Sequence, residues 1–358
     1  MRHPSTLDLI SALALAGPAI AIFARPSVAS HAGKSLVLSK TKHLDFTTPR
    51  WGAPRSRSSV APAAAREFQR LISRRLLRPH LQKRELTRST GRRLNGGAAM
   101  LSLSVLADSA VEHYRGSFQN RAMYSPLLVS VLTLGASLFG TADMRAKRHG
   151  TRDAIYTAAA ATGCAGLGFH AYNILKRPGG WSWLNLFYSA PIGAPMALAL
   201  AGLLGRGAER VRDTPQHGRA SVFGLPAGRM LAAVTAMGLA GTAGEAGLMH
   251  FRGAYHDPAM LLPVTAPPVA SLLLGASALR PDRALHRVTR WWLRLTALLG
   301  FAGVGFHALG VSRNMGGWRN WSQNLLNGPP LPAPPSFTGL ALAGLAALTL
   351  IERAETNA

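Results

Sequence analysis

A nine-residue stretch that occurs twice constrains the fold of this chain more than any other feature. Residues 163–171 read GCAGLGFHA and residues 300–308 read GFAGVGFHA, with seven identical positions. A second motif recurs at the same separation of 137 residues, as HYRGSF at 113–118 and HFRGAY at 250–255. Self-similarity at one fixed period indicates a duplicated structural unit. The spacing predicts two copies of about four helices, each copy with two histidines.

The distribution of apolar residues indicates a membrane protein. The sequence is 48% hydrophobic and 15% charged, and the charges cluster between long apolar runs. This pattern is typical of multi-span proteins, whose spans are α-helices because backbone groups in lipid must be satisfied internally. We predict an all-α polytopic membrane protein with eight transmembrane helices, arranged as two tandem, parallel four-helix repeats. The predicted spans are 97–116, 124–141, 154–175, 188–204, 230–250, 259–279, 291–311 and 336–351.

The first 99 residues differ from the rest of the chain. Residues 34–94 contain 16 Lys and Arg against 3 acids, and they include a Pro-, Ser- and Arg-rich stretch. So little apolar surface does not support independent folding, and residues 1–99 are predicted to be a basic, largely disordered extension. Within it, residues 66–86 have the pattern of a basic amphipathic helix that lies on an anionic membrane surface. An alternative hypothesis is that translation starts at Met100, because the repeat has no counterpart for this extension.

The positions of Lys and Arg predict an orientation in a bacterial-type inner (plasma) membrane. The repeats are assigned to residues 100–206 and 229–358, joined by a cytoplasmic linker at 207–228. The loops after spans two, four and six are the most basic, so the positive-inside rule places them and both termini of the repeat core in the cytoplasm. These cations are Arg145, Lys147, Arg148 and Arg152, then Arg206, Arg210, Arg212 and Arg219, then Arg280, Arg283, Arg287 and Arg290. About half of the net charge of +25 comes from residues 34–94, and most of the rest lies in these loops. The lipid bilayer is the expected partner, and no nucleic acid is expected because no reading module is recognisable.

The repeated glycine–histidine stretch places small residues and an imidazole on one helix face. Gly163, Gly166 and His170 are spaced i, i+3 and i+7, and the same spacing recurs with Gly303 and His307. Two interpretations are open. A stripe without side chains beside an imidazole admits a flat group, such as a porphyrin with an axial histidine. The alternative is close packing between helices through small residues.

The second repeated motif places an arginine two residues after a histidine. His113 is followed by Arg115 and His250 by Arg252, and an acidic residue lies seven positions before each arginine on the same helix face. Ionisable residues within spans are costly, so they indicate function. The alternative is an interfacial arginine that extends toward the headgroups, with the acid as its counter-charge.

Four imidazoles at one depth restrict the chemistry to three kinds of site. His113 with His170, and His250 with His307, would each bind one b-type haem, since bis-histidine ligation is a standard electron-transfer arrangement. All four histidines would instead hold one Zn, Cu or Fe ion if they converged. Without a metal, the histidines and the two arginines of the second motif would handle a quinone or an anionic headgroup. With haem, the same arginines would hold its propionates.

We therefore predict a membrane anchor or electron-transfer subunit with two b-type haems or a quinone, and a periplasmic redox subunit as its partner. In span number alone it resembles quinone-linked eight-span subunits of respiratory complexes. At most it is the membrane subunit of an oxidoreductase complex, because we find no hydrolase or ATPase motif, and the single Cys164 excludes cysteine-based clusters within the chain. The alternatives are a transporter or lipid-handling protein with a pathway at the repeat interface, and a scaffold without chemistry. The candidate site residues are His113, His170, His250, His307, Arg115, Arg252, Gly166 and Gly303.

Overall fold

The described chain folds almost entirely into α-helices. The computed structural model describes residues 61–143, 145, 149–214, 220–222 and 224–356, with side chains from residue 85 onward. The helices are α1 (Ala61–Arg115), α2 (Ser125–Ala142), α3 (Gly150–Leu175), α4 (Trp183–Tyr188), α5 (Gly193–Asp213), α6 (Ala227–Arg252), α7 (Leu262–Leu279), α8 (Arg283–Arg313), α9 (Trp321–Asn327) and α10 (Pro335–Thr356). Between α5 and α6, β1 (Ser221–Val222) pairs with β2 (Leu225–Pro226) in an antiparallel hairpin. The all-α prediction is confirmed.

The order of elements is the same before and after the hairpin. We call α1–α5 the first half and α6–α10 the second half. In each half three long helices are followed by one short helix and a final long helix. Each half also enters its second helix through a 3₁₀ turn whose second residue donates its N–H to a capping side chain. Ala122 donates to Asn120 and Ala259 donates to Asp257, both at 2.9 Å. The packing below is that of the compact unit that contains residues 83–358.

Six described helices are long and apolar enough to cross a membrane. They are Glu85–Arg115 within α1, the segments that contain α2 and α7, and α6, α8 and α10. The predicted spans 154–175 and 188–204 correspond to α3 and α5, which are helical but lie outside this group. Leucines on the outer faces of α2, α7 and α8 remain exposed, with Leu272 at 74%, as expected of surfaces that face lipid. These features support a multi-pass membrane protein.

One apolar core connects the two halves. A single cluster of buried side chains draws on α1, α5, α6, α7, α8 and α10, including Leu101, Leu204, Leu239 and Leu340. Helices α1 and α10 cross where Gly97 meets Gly339, since a Cβ on Gly97 would lie 2.6 Å from the Gly339 carbonyl oxygen. The two halves therefore share their main core, and a smaller cluster of Val105, Ala159 and Leu198 lies within the first half.

Several helices extend beyond the predicted boundaries. The predicted boundary at residue 100 falls inside α1, where Leu94 and Asn95 are already fully buried, so residues 94–99 are helical and packed and are not a disordered extension. The predicted linker at 207–228 is shortened because α5 continues to Asp213, with Ala208 and Val211 buried in the core. Residues 1–60, with the predicted Pro- and Arg-rich stretch, lie outside the described residues.

Most arginines that were predicted to lie in loops belong to terminal helical turns instead. Arg152 is in α3, Arg206, Arg210 and Arg212 are in α5, and Arg283, Arg287 and Arg290 are in α8. They still gather at one end of the helices, which we call the arginine-rich end. In the loop after α2, Arg145 donates to both carboxylate oxygens of Asp143, and this bonding holds the pKa of Asp143 well below its usual range. We call the opposite end the histidine end.

Candidate functional site: four anchored histidines

The four repeated histidines make the same contact. Each lies in the last two turns of a long helix. Its Nδ1 bonds to a backbone carbonyl in the segment that leads into the next long helix of the same half. A carbonyl oxygen only accepts, so each Nδ1 carries the proton and donates it. The bonds are His113 to Met123 at 2.7 Å, His170 to Pro191 at 2.5 Å, His250 to Met260 at 2.7 Å and His307 to Pro330 at 2.7 Å.

This contact determines what the other ring nitrogen can do. A neutral imidazole that donates through Nδ1 carries a lone pair on Nε2. Among the described residues, no protein group forms a hydrogen bond with Nε2 of any of the four histidines, and all four rings are partly exposed. Histidines that bind metals are usually held in this way, because a carbonyl bonded to one nitrogen orients the other toward the metal. In each of the four rings, Nδ1 is therefore fixed by a hydrogen bond and Nε2 carries a lone pair that is available to a ligand.

The histidines are grouped in pairs within each half. His113 lies within electrostatic range of His170, and His307 lies within electrostatic range of His250. These are the two pairs that the sequence spacing predicts. No group of three or more His, Cys, Asp or Glu side chains able to hold a metal ion is found in the described ranges, so the geometry favours two pairs over convergence on one ion.

The chain turns sharply after the first histidine of each pair. Ser117 and Phe118 have φ of 56° and 45°, and Ala254 and Tyr255 have φ of 54° and 47°. The left-handed region is unfavourable for residues with a Cβ, and such strain clusters at functional sites. Each turn places an aromatic ring against a histidine, with centroids 6.2 Å apart for His113–Phe118 and 6.1 Å for His250–Tyr255. Sequence reasoning missed this turn, although the HYRGSF and HFRGAY repeat contained its signal.

The glycines of the repeated stretch face the final helix of their own half. A Cβ on Gly163 would lie 2.6 Å from the Pro195 carbonyl oxygen, and one on Gly166 would lie 3.2 Å from the Pro195 ring. In the second half, a Cβ on Gly303 would lie 2.7 Å from the ring of Pro334. Of the two interpretations of this stripe, close packing between helices accounts for the contacts of Gly166 and Gly303.

The two candidate arginines differ in their partners. Arg115 donates to Glu112 at 2.7 Å, and its side chain is 47% exposed. The guanidinium of Arg252 lies 5.0 Å from the ring centroid of Phe187, in α4 of the first half. Each arginine therefore provides a positive charge two residues from a histidine, but neither is bonded to the histidine itself.

Two acids mark where the halves meet at this end. The carboxylate of Glu245 in α6 lies against Gly193, the first residue of α5, because a Cβ on Gly193 would lie 1.2 Å from Glu245 Oε2. Asp108 in α1 is close enough to Glu245 for their charges to interact, and Ser104, one turn earlier, donates to the carbonyl of Pro332 before α10. Helices α1 and α6 thus each hold the entry to the final helix of the other half.

A repeated asparagine shapes the loop that follows each second histidine. Asn185 donates to the carbonyls of Pro178 and Gly180 at 3.0 and 2.8 Å. Asn324 donates to Met315 and Gly317 at 3.2 and 2.8 Å. Two consecutive glycines in each loop have positive φ, which only glycine adopts without strain. Each asparagine therefore holds its loop in a fixed path toward the next long helix.

Comparison with known proteins does not identify the site. The chain matches no protein-family model, no curated protein and no solved structure.

Proposed function

We propose that this protein is a multi-pass inner-membrane subunit for electron transfer, in which His113 with His170 and His250 with His307 each ligate one b-type haem. Helices α3 and α5 join the six apolar helices to give eight spans in two tandem repeats. The arginine-rich end faces the cytoplasm, as the positive-inside rule requires. The histidine end faces the periplasm, where a soluble redox partner docks.

The observation that carries this proposal is the shared state of the four rings. Each Nδ1 is committed to a carbonyl, and each Nε2 has no protein partner among the described residues. A histidine that only stabilises the fold needs the bond to a carbonyl, but it does not need a second histidine in its neighbourhood, and each half has such a pair. Anchored imidazole nitrogens in pairs are the donor set that bis-histidine haem requires.

The chain supplies ligation, orientation and charge. Bound haem would supply one-electron chemistry, with a potential that depends on its ligands and surroundings. The carbonyls of Met123, Pro191, Met260 and Pro330 orient the rings and raise the basicity of Nε2. Arg115 and Arg252 place positive charge beside each pair, suited to propionates. If the pairs hold a quinone instead, the Nε2 atoms would accept or donate hydrogen bonds at its oxygens.

A difference spectrum of the full chain in detergent tests the proposal. We expect the dithionite-reduced minus oxidised spectrum to show a Soret shift and an α band. His170→Asn should reduce both signals by about half if each haem contributes equally. Asparagine keeps an amide donor near the Nδ1 position but has no atom at Nε2, so it separates anchoring from ligation. His256→Ala is the matched control, because His256 bonds only locally to Gly253.

A colourless, metal-free protein would overturn the haem proposal. The second candidate would then be a transporter, which the two acidic residues Asp108 and Glu245, within electrostatic range of each other, favour. Paired carboxylates where repeats meet are suited to binding a proton or a cation on a pathway. Its test is uptake of protons or cations into proteoliposomes, which should be lost in Glu245→Gln and retained in Glu112→Gln.

A further inference from the structure

A basic pocket opens at the arginine-rich end, far from the histidine pairs. It has a volume of about 390 Å³ and lies between the first turns of α8 and the last turns of α10. Arg283, Arg287 and Arg290 line it from α8, and Glu352 and Glu355 line it from α10. The proposed electron-transfer function does not use this pocket.

A buried histidine in this pocket has no hydrogen-bond partner. His286 is 1% exposed, and neither ring nitrogen bonds to any described group. Its closest acid is Glu355, with an oxygen 3.8 Å from Nδ1, which is too far for a hydrogen bond. Buried polar groups are almost always satisfied, so an orphaned imidazole at a pocket wall indicates a missing partner.

Positive charge in and around the pocket exceeds the negative charge. Arg290 pairs with Glu352 at 2.5 Å, and Glu355 lies beside His286. Arg283 and Arg287 have no acidic partner in the described part of the chain. Arg93 of α1 adds to the excess, because it lies within electrostatic range of Arg290 and Arg294. The missing partner is therefore an anion.

The surface beside the pocket indicates where that anion comes from. Arg287, Trp291, Arg294, Leu298 and Phe301 are spaced four, three, four and three residues apart, so they share one face of α8. Trp291 is 60% exposed, and the guanidinium of Arg294 lies over its ring, 5.5 Å from the ring centroid. Leu298 and Phe301 are 66% and 62% exposed. A basic pocket, an interfacial tryptophan and an apolar strip occur in the order of a headgroup, an interface and acyl chains.

We propose that this pocket binds the phosphate of an anionic phospholipid, with the acyl chains along the exposed face of α8. His286 and Arg287 contact the phosphate oxygens, and Arg283 provides further positive charge at the pocket mouth. Glu352 stays paired with Arg290, and Glu355 stays beside His286. The repulsion between these carboxylates and the bound anion is therefore reduced. Basic pockets between transmembrane helices are known to bind phospholipid headgroups in this way.

Native mass spectrometry of the full chain with phosphatidylglycerol tests this site. The protein should retain phosphatidylglycerol in preference to phosphatidylcholine. Arg287→Gln should weaken retention about fivefold, the effect of one arginine near an anionic surface. His286→Gln should weaken it as well. Arg229→Gln is the matched control, because Arg229 is an exposed arginine at the same end of α6, and it should bind as the wild type does.

Three results would overturn the assignment. Equal retention of the two lipids would show that the phosphate site does not select charge. Undiminished binding in a folded Arg287→Gln variant would place the lipid elsewhere. Displacement of the lipid by inorganic phosphate or glycerol phosphate at equal concentration would identify a soluble phosphate as the ligand. Because the exposed Arg287 is outside the core, its variant remains informative even if His286→Gln does not fold.

Discussion

The two halves of the chain resemble each other closely at the histidine end and differ at the arginine-rich end. At the histidine end, both halves share anchored histidines, left-handed turns and asparagine-bonded glycine loops. At the arginine-rich end they diverge. The first half buries Arg152, Glu209 and Arg212 as an ion network, whereas the corresponding positions of the second half hold the buried Thr289, Leu348 and Ile351.

This contrast separates what packing needs from what a site needs. The arginine-rich end shows that the same fold accepts a charged or an apolar interior. The histidine end therefore has more in common between its halves than packing alone requires, including two strained turns. This additional similarity is the reason to place a shared function at the histidine end. The arginine-rich end has a different structure in each half.

The largest expected effect comes from breaking the ion network. Glu209→Leu leaves Arg152 and Arg212 buried without Glu209, which should lower the free energy of unfolding by about 3–5 kcal/mol. Adding Arg152→Thr and Arg212→Ile to Glu209→Leu introduces the residues found at the equivalent positions of the second half. This triple variant should recover most of the lost stability. Thermal or denaturant unfolding in detergent measures both variants.

The control for that comparison lies in the second half. Glu352→Gln breaks an ion pair whose side chains are 26% and 36% exposed, so the change should be below about 1 kcal/mol. Equal losses for Glu209→Leu and Glu352→Gln would contradict the contrast between the two halves.

The next effect tests whether the glycine stripe is a packing surface. Gly163→Ala places a methyl group against the backbone of α5 and should reduce stability by about 1–3 kcal/mol. Gly168→Ala is the matched control, because nothing lies within 4 Å of its added Cβ, and it should leave stability unchanged or improved. A stable Gly163→Ala protein that loses only cofactor would restore the other interpretation of the stripe.

The smallest effect concerns a polar pair that is present in one half alone. The Tyr156 hydroxyl donates to Asn95 at 2.9 Å in a buried site, and the equivalent residues in the second half are the buried Leu293 and Ala232. Tyr156→Phe should cost about 1 kcal/mol. The double variant Asn95→Ala with Tyr156→Leu copies the apolar pair. If the double variant is less stable than Asn95→Ala alone, the apolar pair of the second half cannot replace the polar pair of the first half.

Sequence periodicity predicted the long helices, since a helix face follows from spacing alone, and the repeat spacing singled out the four histidines. It could not show that the Nδ1 of His170 bonds to Pro191, because partners across a loop depend on where the next helix docks. It also ended α5 too early, because the run of charges at Arg206–Asp213 reads as a loop when the burial of Glu209 and Arg212 against Arg152 is unknown.

The most direct test of the account is a count of haem per chain in histidine-to-asparagine variants. We predict two haems in the wild type, one when either or both of His113 and His170 are changed, and one when either or both of His250 and His307 are changed. A variant that combines His170→Asn with His307→Asn should bind none. A full haem content in folded single variants, or loss of both haems from a change within one pair, would contradict two independent histidine pairs.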